Sequence, residues 1–257
     1  MSAAKLAFRL CASSAVALCL AITPASSRMM SPAWQERASG QIKSGQVPSG
    51  FPVPSEAFKR LTGEWWQWAA SIPVAGNPLL DSTGVDCMVG QRGSIWFLAA
   101  NFGGGSTNRS CTIPEGKQLF FPVVNSVNID TPDVCGQGSD RIPVADLRAF
   151  SAVLVDGAVD ISVTLDGAPI SKLARTRSEV FEVTLPEDNL FDAPCQNAGL
   201  GNVPAGVYSP AVDDGIYVLL RPLEIGSHTL NFKAENPGAG FNVDVTYLLN
   251  VVPVKLR

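Results

Sequence analysis

From residue 94 onward, apolar residues recur at every second position in short runs, and turn-forming residues separate the runs. A period of two places one face of a strand against a core and the other toward water, so such a chain must build sheets. The runs fall near residues 94–100, 109–113, 118–128, 159–165, 179–185, 216–222, 228–234 and 241–253. Between them lie Asn101-Phe102-Gly103-Gly104-Gly105, Pro114-Glu115-Gly116-Lys117, Asp166-Gly167 and Leu223-Glu224-Ile225-Gly226. The Asp-Gly pair is a strong hairpin signal, because both residues tolerate positive φ. Strands and helices do not alternate as a doubly wound sheet requires. The expected fold is therefore mainly β, an antiparallel β-sandwich or jelly-roll, with one N-terminal helix and one inserted helix.

The N-terminal helix is expected over residues 56–72, with Ser55 as its cap. Phe58, Leu61, Trp65, Trp68 and Ile72 recur at helical spacing and form one apolar face, predicted to pack on the sandwich. Trp66 falls beside that stripe and is a possible stacking wall for a ligand. The inserted helix is expected over residues 143–156, with Leu147, Phe150, Val153 and Leu154 on one side.

The first 27 residues read as an export signal: Lys5 and Arg9, an apolar run over residues 10–22, then small residues up to Ser27. That run is shorter than the ~20 apolar residues a membrane span needs, and no later segment is apolar enough to span. Residues 28–54 read as a linker or arm, and residues 55–257 as a single domain. The expected location is outside the inner membrane, periplasmic or extracellular. Cys87, Cys111, Cys135 and Cys195 remain after the signal, an even number suited to an oxidising compartment. The spacing predicts Cys87–Cys111 across a strand and its return, and Cys135–Cys195 between two long polar loops. A net charge of −4 argues against nucleic acid as a partner.

Three stretches carry a resemblance. The first is Trp65-Trp66-Gln67-Trp68 with Asn77-Pro78, Cys87, Gly90-Gln91 and Trp96-Phe97-Leu98. The second is Cys111-Thr112-Ile113-Pro114-Glu115-Gly116-Lys117 leading into Leu119-Phe120-Phe121-Pro122. The third is Gly226-Ser227-His228-Thr229-Leu230 followed by Asp244-Val245-Thr246-Tyr247. Together they resemble a family of exported bacterial proteins of unknown function. The resemblance implies export and a single domain, and it brings no catalytic residue with it.

Chemistry-bearing residues are few. His228 is the one histidine, which removes multi-histidine zinc sites, and its expected role is to cap a turn at the core edge. No Gly-x-Ser-x-Gly elbow occurs. The loop aspartates, among them Asp81, Asp86, Asp133, Asp192 and Asp213, suit turn chemistry; calcium binding is the weaker alternative, and no other cofactor or metal is expected. Alternation along residues 118–128 puts Leu119, Phe121, Val123, Val127 and Ile129 in one row, and Asn125 falls in that row. A buried amide needs partners, so the candidate ligand site is Asn125, Asp130, Arg175 and Asp214 in one pocket, with Trp66 as its wall. The functional expectation is an exported, non-catalytic binding protein for a small molecule or glycan. The alternatives are an exported carboxylate hydrolase or lyase acting on a polysaccharide, and a structural envelope component.

Overall fold

The structure, a computed structural model, describes residues 11–12, 55–171 and 173–254. The arm at 28–54 and nearly all of the expected export signal lie outside the described residues. Within that expected segment, Cys11–Ala12 forms a short strand, β1.

Two sheets pack face to face. Sheet A is centred on β4 (Gln118–Ile129) and β9 (Gly206–Leu220), which run antiparallel along their length. The other edge of β4 carries β2 (Ile95–Phe97) in parallel and β1 antiparallel. The other edge of β9 carries β7 (Ala174–Arg177) and then β8 (Phe181–Leu185). Sheet B has the order β3 (Gly104–Pro114), β11 (Phe241–Val252), β10 (Gly226–Asn236), β5 (Val159–Leu165) and β6 (Ala168–Pro169). The sandwich is mainly antiparallel, with two parallel ladders, β2 on β4 and β3 on β11. The turn at Pro114-Glu115-Gly116-Lys117 is a corner, because β3 and β4 belong to different sheets. At Asp166-Gly167 the φ values of 51° and 79° make the expected two-residue hairpin.

The core lies in two layers. Between the sheets, Leu119, Phe121, Val218 and Ile216 meet Leu230, Phe232, Val245 and Tyr247. On the far side of sheet A lies α1 (Ser55–Ser71), whose Trp65, Trp66, Ala69 and Phe58 cover Phe120, Val127, Tyr217 and Leu219. The expected aromatic face is thus packed on the sandwich. Trp65 and Trp68 each donate their indole N–H to a carbonyl, Leu98 O at 3.0 Å and Val89 O at 2.9 Å. Buried indoles need such partners.

α2 (Val144–Asp156) rests on β4 and β9. Its buried face is Leu147, Ser151, Leu154 and Val155, so Val153, expected inside, is 68% exposed. A short α3 (Asp192–Asn197) was not foreseen. Two expected strand limits also move. The residue 94–100 strand shortens to β2, and Gly104 and Gly105, expected in a turn, begin β3.

The cysteines pair as expected, Cys87–Cys111 and Cys135–Cys195, closing separations of 24 and 60 residues. Arg109 on β3 points inward and is 2% exposed. Its guanidinium donates to the carbonyls of Asp81, Ala99 and Ala100 and to the Tyr247 hydroxyl, which ties the loop before Cys87 to sheet B. Among the described residues no helix is long and apolar enough to cross a membrane.

Candidate functional site

The residues expected to converge lie in three places. The first reason is a β-bulge. Between Pro122 and Val124 the β4–β9 register shifts, so Val123 and Val124 both face the inter-sheet core. One extra residue in a strand reverses every side chain beyond it. Leu119, Phe121 and Val123 therefore face sheet B, whereas Val127 and Ile129 face the α1 side. Asn125 goes with the second group. The single row expected from strict alternation is two half-rows on opposite faces.

Under α1, Asn125 Nδ2 donates to the Tyr217 hydroxyl at 3.0 Å, and Tyr217 donates to Asp213 Oδ2 at 2.7 Å. Trp66 Nε1 donates to Asp213 Oδ1 at 2.7 Å. Trp66 is 2% exposed and Asp213 1%, so Trp66 is a buried partner of the carboxyl and no wall of an open pocket. Gly215 makes this possible: a Cβ there would lie 2.5 Å from the Tyr217 ring and 2.7 Å from the Asn125 Cβ. Burial pushes the Asp213 carboxyl well above the usual carboxylate range, against the pull of its Tyr217 and Trp66 donors. Burial and the neighbouring Asp213 push the Tyr217 phenol up as well.

Asp214 is the next residue on β9, so it faces the opposite side of sheet A. It lies within β9, which begins ten residues earlier than the expected strand at 216. Arg175 grips it in bidentate fashion, Nε to Oδ1 at 3.0 Å and Nη2 to Oδ2 at 2.8 Å. Arg177 adds a bond at 3.2 Å, and Arg175 reaches Asp156 at the end of α2 at 2.7 Å. The Asp214 carboxylate holds the Arg175 guanidinium well above its ordinary pKa. This cluster joins β7, β9 and α2. Arg175 and Asp214 thus meet, but on the other face of sheet A from Asn125 and Trp66.

Asp130 stands apart, just past the end of β4. It accepts from Gln137 Nε2 at 2.6 Å, from Arg141 at 3.0 Å and from the Ile142 N–H at 2.8 Å, and so shapes the loop that leads to α2. Asp81 likewise accepts from Thr83 and Asp86 in its own turn, and His228 Nδ1 meets the Asp166 carboxylate at 2.7 Å beside the hairpin turn. Turn chemistry accounts for these groups.

An open groove of about 400 Å³ lies between α1 and the β7–β8 edge, lined by Arg60, Gly63, Gln67, Glu179, Phe181 and Glu182 among others. None of Asn125, Asp130, Arg175, Asp214 or Trp66 lines it. Among the described residues, no three His, Cys, Asp or Glu side chains gather as a metal would require.

Sequence reading passed over a different surface. Sheet A is covered on the α1 side and on the sheet B side, but among the described residues no element covers the outer face of sheet B. On β3 that face presents Ser106, Asn108, Ser110 and Thr112, all exposed. On β11 it presents Asn242, Asp244, Thr246, Leu248 and Asn250, and across from them β10 sets Glu235, Lys233, Asn231, Thr229 and Ser227 in register. At its centre Asp244 accepts from Asn231 Nδ2 at 2.9 Å, Lys233 Nζ at 3.0 Å and Ser106 Oγ at 3.2 Å. Asn231 Nδ2 also reaches the Thr246 hydroxyl at 2.9 Å. Burial pushes the Asp244 carboxyl up, but the Asn231 and Lys233 bonds outweigh it and hold it below its usual range. The signal that could have found this face is the polar half of the period-two pattern, in which Ser, Thr and Asn predominate on three successive partners. No family model, curated protein or solved structure matches the chain.

Proposed function

We propose that this chain is an exported, non-catalytic binding protein whose ligand is carbohydrate-like. One observation carries the reading: the buried carboxylates are all engaged in holding the fold. Asp130 is bound by Gln137 and Arg141, Asp192 by the N–H groups of Asn189 and Val203, Asp213 by Trp66 and Tyr217, and Asp214 by Arg175 and Arg177. A carboxylate hydrolase needs two such groups flanking a bond in a reachable cleft. Asp213 has the raised pKa of a general acid but is sealed beneath α1. Its neighbour Asp214 faces the other side of the sheet. Two disulfides support a life in an oxidising compartment outside the inner membrane.

The test is a panel of soluble polysaccharides assayed in parallel for retention of the protein and for release of reducing ends. The expected outcome is retention with no release. Release of reducing ends that disappears in Asp213→Asn would overturn the reading in favour of an enzyme.

A further inference from the structure

We infer that the outer face of sheet B is the ligand surface, and that its ligand is an uncharged polysaccharide lying across β3, β11 and β10. This rests on the binding reading above and adds a place and a chemical class to it.

The first argument is residue choice. Asn is depleted in strands, whereas β-branched and aromatic residues are enriched there. Yet Ser106, Asn108 and Ser110 occupy successive outward positions of β3, and Asn231, Asn242 and Asn250 occupy outward positions on its neighbours. Residues that break a local rule, with no packing gain to offset it, mark functional surfaces.

The second argument is pre-organisation. Asn231 is clamped by its amide nitrogen to Asp244, to the Val245 carbonyl and to Thr246, which leaves its Oδ1 with no donor among the described residues. Apart from Lys233, Glu235 and Leu248 the side chains here are short, so little rotamer entropy is lost when a ligand docks on them.

The third argument is charge and polarity. Lys233 and Asp244 neutralise one another at 3.0 Å, and the one remaining charge is Glu235, which accepts from Asn242 Nδ2 at 3.3 Å. A nucleic acid needs a row of unpaired cations, and the outward positions of these three strands hold no cation besides Lys233. A protein partner would seek aromatic, Met and Arg anchors, and the large apolar side chain on offer is Leu248, 57% exposed between Thr229 and Ser110. A sugar ring matches this composition: hydroxyls for the Ser, Thr and Asn groups, and a C–H face for Leu248.

The experiment is affinity electrophoresis of the full chain in gels containing hydroxyethyl cellulose, dextran or galactomannan, each uncharged, or polygalacturonate, which is anionic. At least one uncharged polymer should retard the wild-type protein. Asn231→Ala and Thr246→Lys should weaken that retardation roughly tenfold or more, while Glu182→Ala in the distant α1 groove should leave it unchanged. Ser110→Lys, on the neighbouring strand, repeats the test if Thr246→Lys melts early. Unchanged retardation of all three face variants would overturn the placement and leave the binding reading standing. Preference for polygalacturonate would overturn the ligand class. Retardation of the wild type by none of the polymers would remove the binding reading itself.

Discussion

Two polar regions of this sandwich are built from similar side chains and behave in opposite ways. Beneath α1, half-buried Asn125 and the buried Tyr217, Asp213 and Trp66 form a chain of hydrogen bonds. On the outer face of sheet B, Ser106, Asn231 and Lys233 converge on Asp244, and no element among the described residues lies above them. The first network joins a helix to the sheet it covers, so each bond is part of the fold. The second joins strands that their backbone ladders already hold, so its side chains are available to a ligand. The contrast teaches that polarity alone does not mark a site; what distinguishes the two is whether folding depends on the groups.

That contrast can be broken by mutation. The largest effect is expected inside. Trp65→Ala removes a side chain that is 0% exposed together with its bond to Leu98 O, and should lower unfolding stability by about 3–5 kcal/mol. A urea midpoint near that of the wild type would show that α1 is an appendage. Tyr217→Phe deletes the hydroxyl shared by Asn125 and Asp213, and should cost about 1–3 kcal/mol because both partners stay buried or half-buried. Thr246→Ala, on the open face, should stay within about 0.5 kcal/mol. If Thr246→Ala destabilised as much as Tyr217→Phe, the two regions would not differ in kind.

Acidity sharpens the same comparison. The folded Asp213 pKa stands above its unfolded value of 3.8, so the proton is held more tightly in the folded chain. The associated stability is fully present below pH 3.8 and is lost as pH rises through the folded value. Urea midpoints measured across that range should therefore fall less steeply with pH in Asp213→Asn than in the wild type. The smallest effect belongs to the exposed pair. The Asp166 carboxylate holds His228 above its ordinary 6.5, and Asp166→Asn should return the imidazole toward that value, as read from its ring proton shifts.

Much of the fold was legible because local pattern and final packing agree. The 3.6-residue spacing of Phe58, Trp65 and Trp68 is the face that α1 buries, and Asp166-Gly167 turns as its composition requires. The cysteine pairing followed from which loops the strands bring together. Legibility failed where a distant partner decides. Asp213-Asp214-Gly215 looks like a turn, yet it runs through the middle of β9 because Tyr217, Trp66 and Arg175 satisfy two carboxylates that a strand otherwise excludes. The bulge at Pro122 left no mark on the apolar alternation, so Asn125 was placed on the correct strand with the wrong neighbours. Arg175 and Asp214, two of the four residues expected in one pocket, do meet, but on a face set by β7, a strand too short and too charged to expect.

The parallel ladder of β3 on β11 has a consequence for the time course of folding. β11 is the last of the described strands, and it is inserted between β3 and β10. Asn242 pairs with Gly104 and Val252 with Pro114, partners separated by well over a hundred positions. Contacts of such long range slow folding, since loop closure must precede the reward. While a ribosome is still making residues 241–252, β3 has no ladder and β10 has half of its own. Sheet B is therefore completed only once the last of its described strands has been made.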